Sequence, residues 1–231
     1  MVIAMKYLVS TLLLLWSSLA SSFQVEPMFQ HLSNVGSRAQ AEYRVENTGT
    51  EPLAIESAAY SREVISDIDE DLVPADHDFI IMPPQAIIEP GEYQLFRVRY
   101  LGSDKLNESI SYRVTFKQLP LKNEIDGTGV DLLFNFATLV FVSPENASSK
   151  LEASLNDEAI SITNLGNGVA NLNNSSLTLT STDDKQILSW NDYSAISPAS
   201  YLLPSQTIII PTQEEWINGK SIIDVDVSIL Q

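Results

Sequence analysis

The chain has 231 residues, 44% of them hydrophobic, and a formal net charge of −17 from 13 basic and 30 acidic side chains. A surface this acidic is a poor match for nucleic acid or for an anionic membrane face. The absence of cysteine excludes disulfides and thiolate chemistry, and the only two histidines, His31 and His77, exclude a His-rich zinc site.

In chain order, the first segment reads as an export signal. Lys6 supplies a positive start, residues 8–19 (LVSTLLLLWSSL) form a short apolar run, and Ala20, Ser21 and Ser22 are small enough for cleavage. Met5 is an alternative start to Met1. The apolar run is short for a membrane span. The expected mature chain is exported and begins near Ser21 or Phe23.

Beyond the signal, short strand-like stretches alternate with turn chemistry, and no segment has convincing helical periodicity. Residues 23–32 (FQVEPMFQHL) are extended, with Pro27 marking an edge or a kink. Residues 41–46 alternate and turn at Asn47-Thr48-Gly49, and residues 53–60 form the next strand. Residues 66–78 read as an acidic loop. Residues 79–82 stop at Pro83-Pro84, residues 86–88 are followed by the Pro90-Gly91 turn, and residues 93–100 (YQLFRVRY) alternate well. Residues 109–119 lead through a polar loop into residues 130–142 (VDLLFNFATLVFV), the longest apolar run after the signal.

That run has a strand's β-branched and aromatic content. Its even positions Val130, Leu132, Phe134 and Phe136 form one large apolar row, whereas Asp131, Leu133, Asn135 and Ala137 are mixed. The residues leave two readings open: a central strand buried on both faces, or a row kept for another chain. Residues 143–150 (SPENASSK) read as a linker. The remainder continues in the same style, through residues 160–164, 177–180, 187–190, 207–211 and 222–230, with Gly166-Asn167-Gly168 as a turn and Trp190 and Trp216 as core. The expected class is all-β, with two immunoglobulin-like β-sandwich domains at 23–144 and 150–231 after a signal peptide at 1–22. Both halves carry a strand ending in Asn before a Gly turn, VENTG at 45–49 and ITNLG at 162–166, which points to a shared turn solution.

Several constellations carry little chemistry. Residues 67–78 begin like a calcium loop, but Leu72 stands where the motif needs glycine and Asp78 where it needs glutamate. No nucleophile elbow accompanies His77, so no enzymatic activity is expected. Arg97 and Arg99 read as an exposed charged face. Asn107, Asn146 and Asn173 open glycosylation sequons, a short pattern that carries little weight by itself. No cofactor or metal is expected.

Four segments, in order and spacing, resemble the periplasmic chaperones of the chaperone–usher pilus pathway: AEYRVENTG at 41–49, MPPQAIIEPGEYQLFRVRYLG at 82–102, ESISYRVTFKQLPL at 108–121, and the apolar strand ending in FVSP at 141–144. The resemblance covers residues 23–145; the second half follows the family only in size and style. It implies a boomerang-shaped, two-domain periplasmic chaperone. Such a protein lends its seventh strand to pilin subunits that lack their last strand, delivers them to an outer-membrane usher, and self-associates weakly when empty. This exchange between chaperone and pilin is itself a standard example of strand addition at an open sheet edge. The donor strand would be 130–142, with Val130, Leu132, Phe134 and Phe136 filling the subunit's groove. The two cations with which the family grips the subunit's C-terminal carboxylate fall on His31 and Leu139 here. His31 and Lys117 are therefore the candidate anchors, with Arg113 a further source of charge. Ser143 replaces the family's interdomain arginine, so the interdomain angle should be held differently. The rival expectation is an exported immunoglobulin-like adhesion or scaffold protein.

Overall fold

A computed structural model describes residues 23–66, 69–121, 132–156 and 159–229. The export signal at 1–22 and Val130 lie outside the described residues.

Among the described residues the first half contains ten strands: β1 (Phe23–Glu26), β2 (Phe29–Ser33), β3 (Gln40–Asn47), β4 (Leu53–Ser66), β5 (Asp69–Pro74), β6 (Phe79–Met82), β7 (Gln85–Ile88), β8 (Tyr93–Tyr100), β9 (Ile110–Leu119) and β10 (Asn135–Ser143). They form two sheets, one ordered β1-β3-β8-β6 and the other β2-β10-β9-β4-β5, with β7 also on β4. Alternation dictates the sandwich: in β8 Phe96, Val98 and Tyr100 point inward while Leu95, Arg97 and Arg99 point out. The core between the sheets includes Tyr43, Val45, Ile55, Phe96, Val114, Phe116, Val140 and Val142.

Two expectations change here. The extended stretch 23–32 is two strands in two different sheets, because the chain turns at Pro27, which cannot donate to a ladder. Within the acidic stretch expected as a loop, residues 69–74 are a strand: β5 pairs antiparallel with the far half of β4. Glu70 holds it there, accepting from Arg62 Nε at 2.5 Å, Arg113 Nε at 3.0 Å and Arg113 Nη2 at 2.8 Å. These arginines, Arg113 above all, hold the Glu70 carboxyl below the usual carboxylate range. Asp78 is used internally as well, accepting from Tyr112 Oη at 2.9 Å. Among the described residues no group of three or more metal-binding side chains is placed to hold an ion.

The second half has β11 (Leu151–Asn156), β12 (Ala159–Asn164), β13 (Ala170–Asn171), β14 (Ser175–Thr180), β15 (Lys185–Ser189), β16 (Tyr201–Leu202), β17 (Thr207–Pro211) and β18 (Asp224–Ile229). Its sheets run β11-β12-β17, β15-β14-β18 and the small β13-β16 pair, around a second core that includes Ile160, Ile162, Leu172, Leu177, Tyr193 and Ile208. The strand expected over 187–190 ends at Ser189, where one helical turn, α1 (Trp190–Tyr193), begins. Asp192 accepts there from the Ser189 amide and hydroxyl, both at 2.7 Å. Trp190 and Trp216 are half-buried at the margin of this core. Among the described residues no helix is long and apolar enough to cross a membrane.

The two Asn-Gly turns do the same work. Asn47 donates its side-chain amide to the carbonyls of Glu51 and Ile88 and accepts from the Gly49 amide. Asn164 donates to Gly168 and Leu202 and accepts from the Gly166 amide. Both are buried, and each pairs its side-chain amide with backbone groups of neighbouring segments.

Candidate functional site

The candidate strand is β10 together with the described residues just ahead of it. β10 starts at Asn135, and Leu132, Leu133 and Phe134 precede it, still attached to β9 by the Gln118 amide, which donates to the Phe134 carbonyl at 2.9 Å. Leu132 is 75% exposed and Phe134 42% exposed. Large apolar groups left open in succession like this are an uncommon use of surface.

The row does not continue outward. Phe136 is half-buried against the first core, its ring edge-on to Phe23 at 4.7 Å. From there the even positions Thr138, Val140 and Val142 all point inward. The expectation that Phe136 stands free with Leu132 and Phe134 is thus corrected, for a geometric reason. Inside the sandwich the even face of β10 is the core face, and only beyond its end does that same face have nothing of its own to cover.

β10 also has an incomplete ladder. It pairs antiparallel with β9 from Asn135 to Val142, but with parallel β2 only over 139–143. Along residues 135–138 one edge therefore has no strand neighbour among the described residues. An edge of this kind is a template for pairing with another chain.

At the other end of β10, β2 places His31 level with Phe141. Its Nε2 lies 2.7 Å from Ser143 Oγ, which lies 2.6 Å from Ser109 Oγ. Burial of the ring holds the His31 pKa below its ordinary 6.5, so the imidazole is neutral at pH 7. A cleft of about 680 Å³ opens beside it, lined by His31, Arg38, Ser143, Glu145, Ser148 and Gly168 among others.

The candidate anchors do not converge. Lys117 is level with Asn135, six positions along β10 from Phe141, a separation of roughly 20 Å at about 3.3 Å per residue. His31 and Lys117 cannot hold one carboxylate, and Arg113 is committed to Glu70. The cation in the cleft is Arg38, which has no acidic partner among the described residues. Sequence reasoning passes over it because it sits in a short 3-10 turn, Gly36–Arg38, outside any strand pattern.

The molecule is thus an immunoglobulin-like pair of sandwiches, the first with an exposed apolar run ahead of a half-paired strand. A family model described as pili and flagellar-assembly chaperone, PapD N-terminal domain, matches residues 32–148, half of the chain. The chain belongs to this family of pilus-assembly chaperones. Similar solved structures include the class 5 fimbriae chaperone CfaA, at 16% identity over 91% of this chain and 99% of that one, with a TM-score of 0.60. A chain of the Salmonella enterica SafA pilin–SafB chaperone complex is 15% identical over 93% and 99%, with a TM-score of 0.59. The Pseudomonas aeruginosa CupB2 chaperone is 15% identical over 90% and 100%, with a TM-score of 0.56. No curated protein matches by sequence.

Proposed function

We propose that this protein is an exported, periplasmic, non-enzymatic chaperone that captures pilin subunits by lending them residues 130–142 and hands them to an outer-membrane usher. The observation that carries the reading is the meeting of two features on one segment: exposed Leu132 and Phe134, and a strand edge at 135–138 with a neighbour on one side only. A subunit lacking its last strand offers the complementary edge and an open core. Main-chain bonds along 135–138 would supply affinity, and Leu132 and Phe134 would enter the groove. Burial of two such side chains is worth roughly 3–6 kcal/mol before the costs of association. Phe136 closes the base of the row. The domains are read as 23–144 and 150–231, and the cleft beside His31 as the place where the subunit's C-terminal carboxylate enters, with Arg38 as its cation.

The test is periplasmic co-purification with a pilin that lacks its last strand. Wild-type chain should bring the subunit down intact; Phe134→Asp should recover folded chaperone without it. Normal capture by a folded Phe134→Asp variant would end this reading.

A further inference from the structure

The turn Gly166-Asn167-Gly168 does more than reverse the chain. It lies against the segment joining the two sandwiches and against the loop before β9, and Asn167 bonds to both. Its Oδ1 accepts from the Ser148 amide at 2.9 Å. Its Nδ2 donates to the Asn107 carbonyl at 3.2 Å. Its own carbonyl accepts from the Ser109 amide at 2.8 Å. Three segments, from the first sandwich, the connection and the second sandwich, thus meet on one residue.

The flanking glycines make this approach possible. A Cβ on Gly166 would collide with the Ser148 carbonyl, and one on Gly168 would come within 2.8 Å of the Ser148 amide nitrogen. Both obstacles are backbone and cannot swing aside. The connection is pinned further by the Lys150 amide on Asn164 Oδ1 at 3.2 Å and by the Leu165 amide on the Lys150 carbonyl at 2.7 Å. On the neighbouring side Tyr201 stands against both Phe29 and Phe141, with centroids 5.5 and 5.2 Å apart. Among the described residues no ion pair crosses this junction.

We infer that Asn167 is a positioning residue that latches the second sandwich to the first, fixing the interdomain angle through hydrogen bonds to backbone groups. Because Ser148 and Gly168 also line the cleft that holds His31 and Arg38, the latch sets the width of that cleft. The angle itself does not depend on the proposed role in subunit capture. Backbone partners make the latch insensitive to salt, whereas an ion-pair joint would loosen as salt rises.

The cysteine-free chain allows a direct measurement. Spin labels on Glu51→Cys and Lys185→Cys, one on each sandwich, report the interdomain distance in the free protein. Wild type should give one narrow distribution, unchanged between low and molar salt. Asn167→Ala and Asn167→Asp should broaden it; the aspartate keeps the acceptor toward Ser148 but sets an oxygen against the Asn107 carbonyl. Hydrogen exchange separates loosening from unfolding. The Ser109 amide should exchange roughly five- to tenfold faster in both variants, as expected for loss of about one hydrogen bond, while amides within β12 stay protected. Narrow distributions in both variants, or a wild-type distribution that broadens with salt, would overturn the latch. Loss of β12 protection in parallel with Ser109 would overturn it too, by making Asn167 a fold residue of the second sandwich.

Discussion

The ring of Phe136 stands edge-on to Phe23, 4.7 Å between centroids, so the apolar row ahead of β10 is fastened at its base to the first described strand of the domain. Free and fastened side chains on one face should respond differently to truncation. Phe136→Ala should destabilise the first sandwich by on the order of 2–3 kcal/mol, less than a fully buried phenylalanine because its site is half open. Leu132→Ala should leave the melting temperature within a degree or two and weaken subunit capture alone. Thermal unfolding beside a subunit pull-down checks both. Equal destabilisation by the two changes would mean that Leu132 also belongs to the chain's own core.

The cleft offers a sharper contrast. Arg38→Ala should weaken capture of a subunit with a free C-terminus roughly ten- to a hundredfold, the scale of a charge-assisted hydrogen bond. An amidated C-terminus should abolish the difference between wild type and variant. Lys117→Ala should have little effect on that comparison, since Lys117 lies level with Asn135, far along the sheet. Binding isotherms with the two peptide ends decide it.

His31 should titrate below its ordinary value in the free protein. Burial depresses its folded pKa, so folding favours the neutral ring. The corresponding stability is complete above pH 6.5 and is lost as pH falls through the folded pKa. An NMR titration of the ring should show a midpoint under 6.5, and His31→Ala should flatten the stability profile in that range. A midpoint at or above 6.5 would contradict the burial account.

Glu70 predicts a second, more acidic limb. Its carboxyl is held low chiefly by Arg113, with Arg62 adding to the effect. Its contribution is therefore present above the ordinary carboxylate value of 4.5 and is lost as pH falls below it. Glu70→Gln should cost on the order of 1 kcal/mol at pH 7, since the group is partly exposed, and nearly nothing near pH 3. Urea midpoints at the two pH values provide the comparison. An equal cost at both would point to packing instead of charge.

Asn47 and Asn164 should act as matched but separate fasteners. Truncating either to alanine removes two side-chain hydrogen bonds to backbone carbonyls and should cost about 1–3 kcal/mol in its own sandwich. With two cores, each variant should split the denaturation curve into two steps, with the early step in the half that lost its asparagine. Domain-resolved hydrogen exchange would identify which half opens first.

Much of this architecture is legible in short-range pattern. Residues 93–100 alternate so regularly that the inward set Phe96, Val98 and Tyr100 follows from period two alone, and the two Asn-Gly stretches read as one turn solution used twice. Other features are not legible because their causes are distant in the chain. The acidic stretch 69–74 looks like a solvated loop until Arg62 and Arg113, on β4 and β9, are brought against Glu70. Pairing His31 with Lys117 fails because residue type says nothing about position along a ladder, and Arg38 escapes notice because it sits outside every strand.

The residues by themselves determined the all-β class, the place of the greasy run late in the first half, and its alternation, because side-chain direction in an extended chain depends only on neighbours two apart. Tertiary structure alone decided where that run stops being core. Thr138, Val140 and Val142 lie between two sheets and Leu132 and Phe134 do not, although one parity joins all five. The difference is the reach of the facing sheet, which pairing elsewhere in the chain sets.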